Sequence, residues 1–319
     1  MKEMFNFCPI HGYDVELEQR QQTLEQFAQE VGVNGVELLA YGTTAATDAS
    51  KYKASTIGVH LRYWTFWVDF WRNNQPKVAV QFPQTADIVT YYGADNTADW
   101  LKVIRKNIIS GLSYQPQYVV WHVSEASNIE AFTMKFGHSD LEVIDATIEV
   151  VNEVLEALPK NILLLFENLW WPGLRLDQPR LVERLLSGIK RDKVGLMLDT
   201  GHLANTNSAL VTERDLVEYE KSIVRNLGSL KQYIRGMHLN SSLSGAYLNT
   251  FPRSLPEKMT LGNIYENIVN IDRHQPFTDS FIRELVNLVE PDYLVHELYY
   301  DNFADLKGKL KQQREALFE

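Results

Sequence analysis

Apolar runs that end in an ionisable residue recur along this chain, and no other feature limits its fold as strongly. The runs begin near Met4 (MFNFC), Gly35 (GVELL), Ile57 (IGVHLR), Gln117 (QYVVWHV), Ile162 (ILLLFE), Val194 (VGLMLD), Ile234 (IRGMHL) and Asp292 (DYLVHEL). His60 ends the third run, His122 the fourth, Glu167 the fifth, Asp199 the sixth, His238 the seventh and Glu297 the eighth. Most are continuous rather than alternating, as expected of parallel strands covered on both faces.

Amphipathic stretches separate the runs. Ser139-Asp-Leu-Glu142 reads as a capping box opening a helix to about Leu158. Thr278 or Asp279 is expected to cap a helix from Phe281 to about Val289, and Asp301 the last helix. The Thr- and Ala-rich stretch Tyr41–Ser50 carries a weaker helical pattern. With 319 residues and no linker, the chain is read as α/β, a single (β/α)₈ TIM barrel over residues 1–319 with an extended loop at about 240–277. A doubly wound open sheet fits less well, because no Gly-rich phosphate loop follows the first strand.

Cys8 is the lone cysteine, so neither an intrachain disulfide nor a Cys-based zinc site can form. A formal charge of −10 argues against holding nucleic acid by bulk positive charge. No apolar run approaches the ~18 residues of a membrane span, and Met1–Gly12 lacks a signal-peptide core, so a cytoplasmic protein is expected.

Ionisable groups at the ends of apolar strands are costly to bury unless paired or bound to metal. In a barrel, the C-terminal strand ends converge on one mouth. Carboxylates and imidazoles gathered there are ligands for zinc, manganese or iron. His202 adds a further ligand in Asp-Thr-Gly-His. His138 and His296 are assigned to structural roles, while His11 could line the mouth.

The series His60, His122, Glu167, Asp199-x-x-His202, His238, Glu297 resembles the xylose-isomerase-like TIM-barrel superfamily, which includes sugar isomerases, ketose epimerases and the endonuclease IV class of apurinic-site nucleases. The matching stretches are VGLMLDTGH, MHLNSS and NIDRHQPF, and Asp272-Arg273-His274 looks like the element by which endonuclease IV holds its third metal. The resemblance implies three stations: His60 and His122 with Glu167 bridging; Asp199, His238 and Glu297; and His202, Asp272 and His274. It also implies that Tyr63 lies beside the substrate. Four departures stand out. The connection from His238 to Asp272 is longer than in the nucleases, their Gly-rich stretch after the first strand is missing, the loop after His60 reads LRYWTFWVDFW, and NLWWPG follows Glu167.

Four carboxylates and five neutral imidazoles carry about −4, so three divalent ions would leave the site near +2, which suits a phosphate ester. One ion would leave it near −2, which suits a neutral sugar, with Glu167 and Glu297 as catalytic proton carriers. Trp64, Trp67, Phe70 and Trp71 are expected to pack, with a subunit contact as a further role, whereas Trp170 is expected to wall the mouth. Arg273 is either an ion-pair partner or a phosphate ligand. The expectation is an endonuclease IV-like phosphoester hydrolase with two or three divalent ions, zinc first, then manganese or iron. Its substrate would be a small phosphate ester or abasic DNA, and the alternative is a one-metal isomerase or epimerase acting on a sugar or sugar phosphate.

Overall fold

The computed structural model describes residues 1–9, 11–42 and 49–319. The His11 side chain and most of the stretch Tyr41–Ser50, both considered above, lie outside the described residues. Eight parallel strands close into a barrel in sequence order: β1 (Lys2–Phe7), β2 (Gly35–Ala40), β3 (Thr56–Leu61), β4 (Tyr118–His122), β5 (Leu163–Glu167), β6 (Val194–Asp199), β7 (Ile234–Leu239) and β8 (Tyr293–His296). β1 pairs with β8 and closes the ring.

Two apolar cores follow from strand alternation. Met4, Tyr118, Val120, Leu165, Met197 and Val295 pack together within the barrel. Side chains of the opposite parity, such as Phe5, Val59, Val119, Phe166 and Leu196, belong to the larger core beneath the helices. β2 breaks the pattern with Glu37, which is fully buried and accepts a hydrogen bond from the Tyr118 hydroxyl at 2.8 Å.

Local signals explain most helices. The Ser139 box is formed, and its helix runs Asp140–Val154 before tightening into a 3₁₀ turn at Leu155–Ala157. Two expected caps are corrected. Asn302, not Asp301, caps the last helix, Phe303–Phe318, because its carboxamide accepts from the Asp305 amide. The helix Ile282–Val289 has no side-chain cap; Thr278 instead donates to Glu213, and Asp279 accepts from the Phe281 amide one step before the helix. The long segment after β7 contains two helices, Gly245–Thr250 and Leu261–Ile271.

The aromatic run after β3 is packed within the chain. Trp64, Trp67 and Phe70 are buried against Tyr92 and Trp100, with Phe70 stacked on Tyr92 at 3.9 Å. Trp71 is half-buried, and its indole N–H donates to Glu149 at 2.8 Å. His296 is satisfied as expected of a structural residue, lying 2.8 Å from Glu3 on one nitrogen and accepting from Gln313 on the other. Among the described residues no helix is long and apolar enough to cross a membrane.

Gly58 on β3 faces the Tyr118 ring so closely that a Cβ would lie 2.1 Å from it. Gly58→Ala should therefore displace the ring that holds Glu37 and cost about 1–3 kcal/mol. A lowered urea midpoint at unchanged slope is the expected reading, and an unchanged midpoint would place the ring elsewhere.

Candidate metal centre at the barrel mouth

Strand register brings the site together. His122 lies opposite Glu167, and Asp199 opposite His238, across neighbouring strands. Elsewhere the ligands step by two. His60 faces Val120, two before His122; Glu167 faces Met197, two before Asp199; His238 faces Val295, two before Glu297. Steps of zero or two preserve side-chain direction, so all six ligands share the inner face at the C-terminal end.

Three groups result, each with donor atoms within 4.8 Å of one another. In the first, Glu167 Oε2 lies 2.9 Å from His60 Nε2 and 2.8 Å from His122 Nε2. The second contains Glu167, Asp199, His238 and Glu297, with His238 Nδ1 3.1 Å from Glu167 Oε1 and 3.0 Å from Glu297 Oε2. In the third, Asp272 Oδ2 lies 3.2 Å from His202 Nε2 and 2.6 Å from His274 Nε2. Glu167 belongs to two groups and also sits 3.2 Å from His202 Nδ1, so it links all three. The nine residues expected from the sequence are the nine brought together.

Most of the imidazoles are fixed from behind. His60 Nδ1 donates to the Leu61 carbonyl, His202 Nδ1 to that of Asn168 and His274 Nδ1 to that of Glu297, each at 2.9 Å. His238 Nε2 lies 2.9 Å from Glu37 Oε1, giving a carboxylate behind the ring. Such rear contacts set the tautomer and orientation of metal-binding histidines. The Nδ1 of His122 has no hydrogen-bond partner, and His238 Nε2 meets Glu37 at ion-pair distance without hydrogen-bond geometry.

The Asp-Thr-Gly-His motif has a local cause. Asp199 caps the one-turn helix Thr200–Ala204, accepting from the His202 amide at 2.6 Å, and so turns His202 inward. Asn240 donates to the other Asp199 oxygen at 3.1 Å and packs where a Gly201 Cβ would be, 1.9 Å from its Oδ1. His274 adopts φ +45°, an uncommon left-handed conformation for a non-glycine residue. The Ser242 hydroxyl braces that turn by accepting from the Arg273 and His274 amides.

Burial opposes charge on every group here, and the carboxylate–imidazole contacts decide the outcome. Despite burial, His122 and His238 hold Glu167 well below the usual carboxylate range. His238 does the same for Glu297. Burial and the neighbouring Glu297 charge push Asp199 well above its ordinary value. Burial opposes protonation of His202 and His238, but Asp199 and Glu297, respectively, raise them well above the ordinary imidazole value. Against the same penalty, Asp272 raises His274 to about 9. Burial wins at His122, which is lowered. Without a cation, then, protons must offset the packed carboxylates. A divalent ion fits the same donor set without them, because neutral imidazoles and carboxylates are its ordinary ligands.

The other expected residues fall differently. The Tyr63 ring stands edge-on to His122 at 4.5 Å, and its buried hydroxyl has no partner. Trp170 is buried with its ring 5.2 Å from His202, so it walls the site. Arg273 is exposed, and its guanidinium reaches the Leu243 carbonyl at 3.4 Å. Sequence reasoning missed Glu37, whose signal was an acidic residue inside the apolar run GVELL. It also missed Asn168, which clamps the Asp199 backbone through both ends of its carboxamide, at 2.9 and 3.0 Å.

Residues 117–317 match the family described as xylose isomerase-like TIM barrel. The chain belongs to that family. Its structure is similar to that of endonuclease IV from Thermus thermophilus, at 11% identity, TM-score 0.55, and 99% and 98% coverage of this chain and that one. It is also similar to a D-tagatose 3-epimerase-like protein (13%, 0.53, 99% and 97%) and to D-psicose 3-epimerase solved in the presence of D-fructose (11%, 0.51, 99% and 96%). These structural neighbours in the xylose isomerase-like group are thus named for different reactions, and at such identities the likeness carries the fold alone. No curated protein matches the sequence significantly.

Two outcomes follow for ion binding. The His274 proton, kept up to about pH 9, must leave when an ion takes that nitrogen. Zinc or manganese affinity should therefore climb between about pH 7 and pH 9, with proton release visible calorimetrically in buffers of different ionisation enthalpy. A flat profile would show that His274 is no ligand. Glu37→Gln should weaken ion binding by about 10–100-fold, because it loosens His238 from behind.

Proposed function

We propose that the mouth holds two or three divalent ions, zinc foremost, and carries out metal-assisted hydrolysis of a phosphate ester. One observation carries the reading: His202, Asp272 and His274 are buried together and braced by Ser242, although a single-ion sugar site needs only Glu167, Asp199, His238 and Glu297. His60, His122 and Glu167 would hold the first ion; Glu167, Asp199, His238 and Glu297 the second; His202, Asp272 and His274 the third. Ions so bound supply phosphoryl polarisation, a lowered pKa for water and charge stabilisation of the leaving oxygen.

The chain's own residues do the rest. Glu167 spans the groups with both oxygens, and Glu297 faces it across His238. Tyr63 offers an unpaired hydroxyl beside His122, and Trp170 excludes water over His202. Arg273, exposed next to the Asp272–His274 turn, is available to a phosphate approaching from solvent. Between Asn240 and Phe277, Arg253, Lys258 and Arg273 are balanced by Glu257, Glu266 and Asp272. That balance favours a small phosphate ester over a duplex tracked along several phosphates.

A second reading rests on the four-residue group, which is complete by itself. Two of its members, Glu167 and Glu297, could exchange protons with the carbon beside a sugar carbonyl. Metal analysis with paired assays separates the two. The hydrolase should contain two or more equivalents of zinc or manganese and cleave phosphate monoesters or an abasic-site duplex. His274→Ala should lower that rate by at least about 10²-fold. One equivalent, with epimerisation of ketoses that survives His274→Ala, would overturn the hydrolase reading.

A further inference from the structure

A fourth group of ligand-type side chains lies outside the mouth. Asp69 sits in the short helix Val68–Trp71 after β3, Glu125 lies three residues beyond His122, and His138 precedes the cap of the helix Asp140–Val154. One donor atom from each falls within 4.8 Å of the others, and none of the three residues belongs to a mouth group.

The hydrogen bonding around these residues is half complete. Glu125 is 2% exposed; its Oε2 accepts from the Trp67 amide at 2.8 Å and the Val68 amide at 3.2 Å, while its buried Oε1 has no partner. Asp69 Oδ1 accepts from the Asn74 carboxamide at 2.6 Å. Its Oδ2 forms an ion-pair contact at 3.4 Å with the buried His138 Nε2, which is too loosely aligned for a hydrogen bond. Each carboxylate thus commits one oxygen to the protein. A free oxygen of Glu125, an oxygen of Asp69 and an imidazole nitrogen are left to one another.

Capping the short helix explains Glu125 Oε2 but leaves Oε1 unexplained. A divalent cation satisfies all three atoms at once. Two carboxylates and a neutral imidazole carry about −2, which one such ion neutralises, and this oxygen–nitrogen set suits zinc, manganese or iron(II).

We propose that Asp69, Glu125 and His138 form a divalent-cation site distinct from the catalytic mouth. Its ligands come from the segment after β3, the segment after β4 and the approach to the Asp140 helix. The ion ties these three segments together, so its role is structural. Half-buried His138 leaves the edge through which water completes the coordination.

Crystals of the full chain soaked separately in manganese chloride and zinc chloride, with data collected at each metal edge, test the assignment. An anomalous peak in contact with Asp69, Glu125 and His138 is expected with at least one ion. The absence of a peak there with both ions overturns the site, whether or not the mouth is filled. In solution, Glu125→Gln keeps an acceptor for the Trp67 amide, and His138→Ala alters only the half-buried edge. Each should bind one equivalent less than wild type in equilibrium dialysis while leaving the mouth ligands intact. Equal stoichiometry in wild type and both variants would equally sink the proposal.

Discussion

The site depends on the burial of Glu167 at the end of β5. A fully buried carboxylate is tolerated only with compensating charge or donors, and here His60, His122, His202 and His238 surround its two oxygens. Because those imidazoles come from β3, β4, β7 and the turn after β6, one acidic side chain couples most of the barrel rim. The rear contacts of the histidines extend the coupling outward, to backbone carbonyls in three cases and to Glu37 in the barrel interior in the fourth. Protein contacts therefore hold the donor atoms of the cage in place.

Glu37 and Tyr118 show how far that arrangement reaches. The Tyr118 hydroxyl donates to one oxygen of Glu37 while the other lies against His238. Room for the Tyr118 ring exists because residue 58, opposite on β3, is glycine. A polar chain thus runs from the apolar interior to the mouth, and each member is fixed by the next.

The sequence made the barrel legible because continuous apolar runs and their ionisable ends depend only on strand order. The same ends named six of the nine candidate ligands, which the register places on one face, while Asp272 and His274 were legible only through the resemblance of NIDRHQPF. Other features were hidden for identifiable reasons. Glu37 stands in mid-strand, and its partner Tyr118 is distant in sequence. Asn302 displaced Asp301 as a cap because the helix begins one residue later, a shift that periodicity does not resolve. The segment after β7 read as loop, yet Thr260 and Asn263 form a reciprocal box that opens Leu261–Ile271 with the shorter Asn where Glu or Gln is the usual signal. Asp69, Glu125 and His138 share no periodic relation, so only the folded chain places them side by side.

The stepping of ligands by zero or two positions also bears on how such a chain can change over time. Inserting or deleting one residue within a strand would reverse every later side chain, sending a ligand toward the helices and an apolar residue into the mouth. The connections carry no such parity, and the stretch between β7 and β8 holds three helices while Asp272 and His274 still arrive beside His202. Length variation among related barrels is thereby channelled into the connecting segments, which are also the parts that meet the substrate. New specificities can arise there without disturbing the cage beneath.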